Sequence, residues 1–70
     1  MGIEKHISIT GTSSVSWKDA VVQAVSEASK TIDYLSSVRV VYQRAKIDGR
    51  KLVQYYVDLD LSFVIDRDRD

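Results

Sequence analysis

The 70-residue chain contains no cysteine and no proline. Without cysteine there is no disulfide framework, no cysteine-based zinc site and no thiol nucleophile, so the usual staples of very small folds are missing. A surplus of either charge is missing too: ten Lys and Arg residues balance ten Asp and Glu. That balance argues against nucleic acid and anionic membrane as partners. Every apolar run is far shorter than a membrane span, and Met1-Gly2-Ile3-Glu4-Lys5 lacks the basic-then-apolar layout of a secretion signal, so a cytoplasmic protein is expected. No repeat, low-complexity linker or charge block divides the chain, which reads as one domain over 1–70 with frayed ends at 1–2 and 66–70. A domain of this length hides only about 60% of the surface its unfolded chain exposes. Self-association is the staple that remains.

What is present is regular patterning. From Ile3 to Thr10 apolar and polar residues alternate, as a half-buried strand requires, and Gly11-Thr12-Ser13-Ser14 is expected to end that strand. Ser16 is a good helix N-cap, and Asp19 stands three residues later where a capping box places a carboxylate. Trp17, Ala20, Val21, Ala24, Val25, Ala28, Ile32 and Leu35 then recur at three- and four-residue steps and form one apolar stripe. Val38 to Ile47 is rich in β-branched residues, and Asp48-Gly49 signals a two-residue hairpin turn into a last strand over Leu52 to Ile65. The expected architecture is β-α-β-β: a three-stranded antiparallel sheet packed on one helix.

If Ile47 faces Arg50 across that turn, Val38, Val40 and Tyr42 oppose Leu59, Val57 and Tyr55 on the helix side. The same register sets Arg39 against Asp58, Val41 against Tyr56, Gln43 against Gln54 and Ala45 against Leu52 on the second face. One helix covers one face, yet Val41, Tyr56, Leu52, Val64 and Ala45 make the other partly apolar. A homo-oligomer that covers this second face is the expectation.

Ile9-Thr10-Gly11-Thr12-Ser13, Ser16-Trp17, Ala20, Ala24-Val25, Ala28, Lys30-Thr31-Ile32, Leu35, Gln43-Arg44 and Ser62-Phe63 together resemble the dodecins, over nearly the whole chain from about Ile3 to Ile65. The resemblance implies a β-α-β-β protomer and a hollow shell of twelve copies. Dodecins are flavin-binding storage proteins in which a Trp just after the helix stacks on the isoalloxazine and a Gln in the last strand hydrogen-bonds it. Here the Trp position falls on Ser37 and the Gln position on Tyr56, with Arg39, Val41 and Gln54 as candidate neighbours. Serine has no ring, and losing an aromatic stack removes about 0.5–1.5 kcal/mol beyond the lost area. The substitutions resemble those of relatives that lack the flavin Trp and are associated with calcium. The resemblance therefore favours calcium or another divalent ion over FMN or riboflavin.

Asp58 and Asp60, two apart in a strand, share a face where symmetry copies could gather the six to eight oxygens calcium takes. The alternative is that Asp58 pairs with Arg39 and Asp60 is solvated. Tyr56 could lie against a planar ligand or serve as an interface tyrosine, and Tyr34 and Tyr42 share that ambiguity. Trp17 reads as packing. His6 reads as a surface residue, since one histidine makes no metal cluster alone. Catalysis has little support: Gly11 stands alone without a phosphate loop, and no acid-base set converges with His6. The expected function is a non-enzymatic dodecin-like shell holding a small ligand or ion; the rival is a structural or interaction oligomer without cargo.

Overall fold

The computed structural model describes residues 2–66, as β1 (Gly2–Ser13), α1 (Trp17–Ala28), β2 (Leu35–Asp48) and β3 (Lys51–Asp66). The sheet is antiparallel with order β1-β3-β2, so the last strand is the central one. Element order and sheet type are those the patterning indicates. Gly2 pairs with Asp66 at the end of the β1 ladder; Met1 and residues 67–70, also expected to fray, lie outside the described residues.

The first strand does not stop at Thr10. It runs to Ser13, and Gly11 pairs with Val57. A Cβ at Gly11 would stand 2.6 Å from the Ala20 carbonyl oxygen and 2.9 Å from the Ala24 Cβ. Glycine here marks where the helix lies closest to the sheet, not a break in the strand.

The helix begins as its cap dictates. Ser16 is extended, and its hydroxyl accepts from the Asp19 amide at 3.0 Å. Asp19 does not complete a capping box; its carboxylate accepts from the Ser13 hydroxyl and from Gln23 Nε2, each at 2.6 Å. The apolar stripe overstates the helix by two turns. The last helical residue is Ala28, Ser29 is the C-cap, and the chain turns through Tyr34 at φ 65°. Leu35 belongs to β2.

The hairpin departs from the expected register. Gly49 and Arg50, not Asp48 and Gly49, form the two-residue loop, because Asp48 pairs with Lys51. Gly49 sits at the first central position with φ 68°, a conformation glycine takes without strain. Three irregularities then shift the β2–β3 ladder, leaving Ser36, Val41 and Val53 as extra residues opposite no partner. The Val41 bulge decides the faces. Val38 and Val40 oppose Leu61 and Leu59, but beyond the bulge Tyr42 opposes Asp58, Gln43 opposes Val57, Arg44 opposes Tyr56 and Ala45 opposes Tyr55.

The core is small. Ala20, Val57 and Leu59 form it, with Ile9, Trp17, Val21 and Ala24 packed against it, and Leu61 is buried nearby. Trp17 meets Tyr55 edge to face with centroids 4.9 Å apart. The accessible surface is 5314 Å², against about 4,400 Å² for a compact monomer of this mass. The radius of gyration is 14.7 Å, against about 11 Å for a compact domain of this length. The protomer is an extended blade with little interior of its own.

Candidate functional site

Paired residues in an antiparallel ladder share a face, and alternate residues along a strand share a face. Val57, Leu59 and Leu61 point at the helix side, so Tyr56, Asp58, Asp60 and Ser62 point away from it. Thr12, Thr10, Ser8 and His6 of β1 stand beside them in turn, and Arg44, Tyr42, Arg39 and Ser37 of β2 stand on the other side. The second face is thus polar along its centre, with Tyr56 and Val64 on it and Val41 at its edge as expected; Ala45 and Leu52, expected there too, are not. Ala45 stands on the helix side opposite Tyr55. Beyond the Val53 irregularity Ile47, one residue after Lys46, also returns to that side with Leu52 opposite it. The exposed apolar residues of β2 are divided: Val38, Val40 and Ile47 lie on the helix-side face, while Tyr42 stands outward opposite Asp58 and Val41 borders the outer depression beside it.

Two charge groups organise the outer face. Asp60 receives Arg39 Nη2 at 3.4 Å and lies 3.6 Å from His6 Nδ1. That His6 nitrogen is also 3.1 Å from the Ser62 hydroxyl, and the opposite ring nitrogen is 3.2 Å from Glu4 Oε1. Asp58 accepts from the Thr10 hydroxyl at 2.9 Å and pairs with Arg44 at 3.8 Å. The Arg44 guanidinium lies over the Tyr56 ring, 4.6 Å from its centroid. Arg39 therefore pairs with Asp60 rather than Asp58, and Asp60 is not simply solvated. The expected pairs Val41–Tyr56, Gln43–Gln54 and Ala45–Leu52, and Tyr42 opposite Tyr55, do not occur.

The candidate residues do not all converge. Val41 and Asp58 border one shallow depression of about 360 Å³ with Ser8 and Thr10. Ser37 borders a different groove of about 230 Å³ with Val25, Leu35, Ser36, Val38 and Leu61. Gln54 opposes Lys46 at the hairpin end. Ser37 stands beside Ser62 and Tyr56 beside Arg44, so six residues of β3 separate the two family flavin positions. At the strand rise that is about 20 Å. Within one chain they cannot grip one small ligand.

His6 as an organiser of Asp60 and Ser62 was not visible in the sequence. The available signal was parity: His6 shares an outward face with Glu4, but its position opposite Ser62 follows only from the β1–β3 register. Among the described residues no group of three or more His, Cys, Asp and Glu side chains is arranged to hold a metal ion. Nor, among them, is any helix long and apolar enough to cross a membrane.

These features define a class: a β-α-β-β domain with one helix on one face of a three-stranded sheet and a carboxylate-bearing polar face opposite. The chain belongs to the dodecin family, whose sequence model, described as Dodecin, matches residues 3–66. It is 35% identical over 63 residues to the calcium dodecin of Mycobacterium tuberculosis (strain ATCC 25618 / H37Rv), covering 90% of this chain and 89% of that one. The crystal structure of a calcium dodecin from the same species, described as a calcium chelating immunodominant antigen with a novel calcium-binding site, matches with a TM-score of 0.80. Identity there is 31%, over 97% of each chain. The dodecin of Streptomyces coelicolor matches with a TM-score of 0.88 at 27% identity over 94% of each chain. A Thermus thermophilus protein matches with a TM-score of 0.89 at 25% identity, over 96% of this chain and 98% of that one. The dodecin resemblance of the sequence and the expected fold class are both borne out.

Proposed function

We propose that this protein is a non-enzymatic, cytoplasmic, homo-dodecameric shell that holds a small ligand or ion, calcium in preference to a flavin. The observation that carries the reading is the pair of carboxylates, Asp58 and Asp60, side by side on the outer face of the central strand. The Thr10 hydroxyl stands on Asp58, and the Ser62 hydroxyl is the next outward position after Asp60. Calcium takes six to eight oxygens, more than one copy of this face gathers, so the site is completed by neighbouring copies. Arg39 and Arg44 now hold these carboxylates, but both arginines are at least half exposed. Their contacts to the carboxylates are long, at 3.4 and 3.8 Å, so an arriving divalent ion has loosely held arginines to displace. A relative that is 35% identical carries calcium in its name, which supports the same choice.

Against flavin stand Ser37, which has no ring to stack, and Tyr56, whose ring face already receives Arg44. The deciding experiment is calorimetric titration of the native-mass oligomer with calcium, alongside fluorescence titration with riboflavin and FMN. Heat on calcium addition that falls at least tenfold in affinity in Asp58→Asn and Asp60→Asn supports the ion reading. Flavin quenching at micromolar affinity, with calcium silent, replaces it by flavin storage in an altered pocket. Silence in both titrations leaves a structural oligomer without cargo.

A further inference from the structure

The outer face carries an arrangement that the calcium reading does not use. His6 of β1 stands directly opposite Ser62 of β3, and Ser8 stands opposite Asp60, so the imidazole meets Ser62 across the ladder and Asp60 along its diagonal. Its Nδ1 is 3.1 Å from the Ser62 hydroxyl oxygen and 3.6 Å from Asp60 Oδ2. The far ring nitrogen, Nε2, lies 3.2 Å from Glu4 Oε1. This is the chain's one histidine, and both of its ring nitrogens face oxygen.

A neutral imidazole carries a proton on one nitrogen and a lone pair on the other. The Glu4 carboxylate, nearer than that of Asp60, favours the proton on Nε2, and the lone pair of Nδ1 is then directed at Ser62 and Asp60. The Ser62 hydroxyl can donate to that lone pair, whereas an ionised Asp60 only accepts. Nδ1 and Oδ2 thus face each other as two acceptors, which is a place for a cation. The spacing agrees. Ligands about 2.0–2.2 Å from one ion, in tetrahedral or octahedral array, stand about 2.8–3.6 Å from one another, and both distances from Nδ1 fall in that span. A carboxylate beside the other ring nitrogen is the regular companion of a ligating histidine, because it orients the ring and raises its basicity.

We propose that His6 Nδ1, Asp60 Oδ2 and the Ser62 hydroxyl hold a divalent ion of the zinc class, with Glu4 as the positioning residue behind the imidazole. Imidazole nitrogen suits zinc, nickel and copper, whereas calcium and magnesium take oxygen. Ser62 is 6% exposed and the Asp60 side chain 19%, so two of the three ligands are held in place. The half-exposed His6 leaves a path from solvent, and water completes the coordination. Arg39 reaches the same Asp60 oxygen at 3.4 Å from β2, but its side chain is 76% exposed and can turn to solvent as the ion enters. The site shares Asp60 with the calcium reading and does not depend on it.

The test is titration of the full, untagged chain with zinc chloride and, separately, with calcium chloride, followed by calorimetry and by the proton magnetic resonance signals of the single imidazole ring. Zinc is expected to bind at micromolar affinity or tighter and to shift those signals. His6→Gln and Asp60→Asn are expected to lower zinc affinity at least tenfold, and Glu4→Ala about tenfold. Glu4→Gln, which keeps an acceptor oxygen, should lose less than Glu4→Ala. Ring signals that stay in place through a stoichiometric addition of zinc overturn the proposal without recourse to any variant. Zinc affinity unchanged in His6→Gln also overturns it, since that is the behaviour of an adventitious ion only. Calcium binding with zinc silent sinks this site and leaves the calcium reading standing; zinc bound through His6 with calcium silent does the reverse.

Discussion

The indole Nε1 of Trp17 donates to the backbone carbonyl of Arg44 at 2.9 Å, tying the first residue of the helix to the far strand of the sheet. The same ring packs edge to face on Tyr55. Trp17→Phe keeps the ring contact and removes the hydrogen bond. It should lower stability by about 0.5–1.5 kcal/mol, read as a lower urea midpoint at fixed chain concentration. Trp17→Ala loses both contacts and should lower it by several times as much.

Arg39 and Asp60 should be energetically coupled, and Arg39 and Asp58 should not. A double-mutant cycle with alanine at Arg39 and asparagine at each aspartate separates them. The expected coupling is about 0.5–1 kcal/mol for the pair in contact and near zero for the other. A reversed result would restore the register in which Arg39 faces Asp58.

Gly11 and Gly49 should respond differently to alanine. At Gly11 the added methyl meets backbone oxygen at 2.6 Å, and overpacking of this kind costs about 1–3 kcal/mol. Around Gly49 there is open space, so only its left-handed backbone opposes alanine, at about 1–2 kcal/mol. Asparagine, which tolerates that conformation, should recover much of the loss at Gly49 and none at Gly11. Thermal denaturation of the four variants checks both statements.

Ser37→Trp should raise riboflavin affinity about two- to tenfold, since a stacked ring contributes about 0.5–1.5 kcal/mol beyond its buried area. Flavin fluorescence quenching measures it. Unchanged affinity would mean that the groove beside Ser37 does not admit the ring.

The sequence carried the element order because each element has its own local signal: alternation in β1, the Ser16 cap and the three-four stripe in α1, and β-branched runs in β2 and β3. It did not carry the end of the helix, because Ile32 and Leu35 continue the apolar spacing after the backbone has left helical geometry. Register was legible only in part. Shifting the turn from Asp48-Gly49 to Gly49-Arg50 moves the pairing by two residues, which preserves parity, so Val38 and Val40 were placed on the correct face. Tyr42 was not, since an unpaired Val41 reverses parity beyond it. The hint was Val40-Val41, two adjacent apolar residues where alternation called for one. Of the candidate site, the outward direction of Asp58 and Asp60 was readable from their spacing. Their partners Arg44, Arg39 and His6 required the bulges and the β1 register, which no local signal encodes.

Val41 has a different kind of importance from the side chains around it. Without it, Val40 would be followed directly by Tyr42, and the pairs Val40–Leu59 and Tyr42–Asp58 would fall in unbroken alternation. Deleting the residue therefore leaves every neighbour on its present face. What it removes is the bend and extra twist that a bulge introduces. Length at this point in β2 sets curvature, so shortening the strand by one residue offers a way to straighten the hairpin while the side chains before and after it keep their partners.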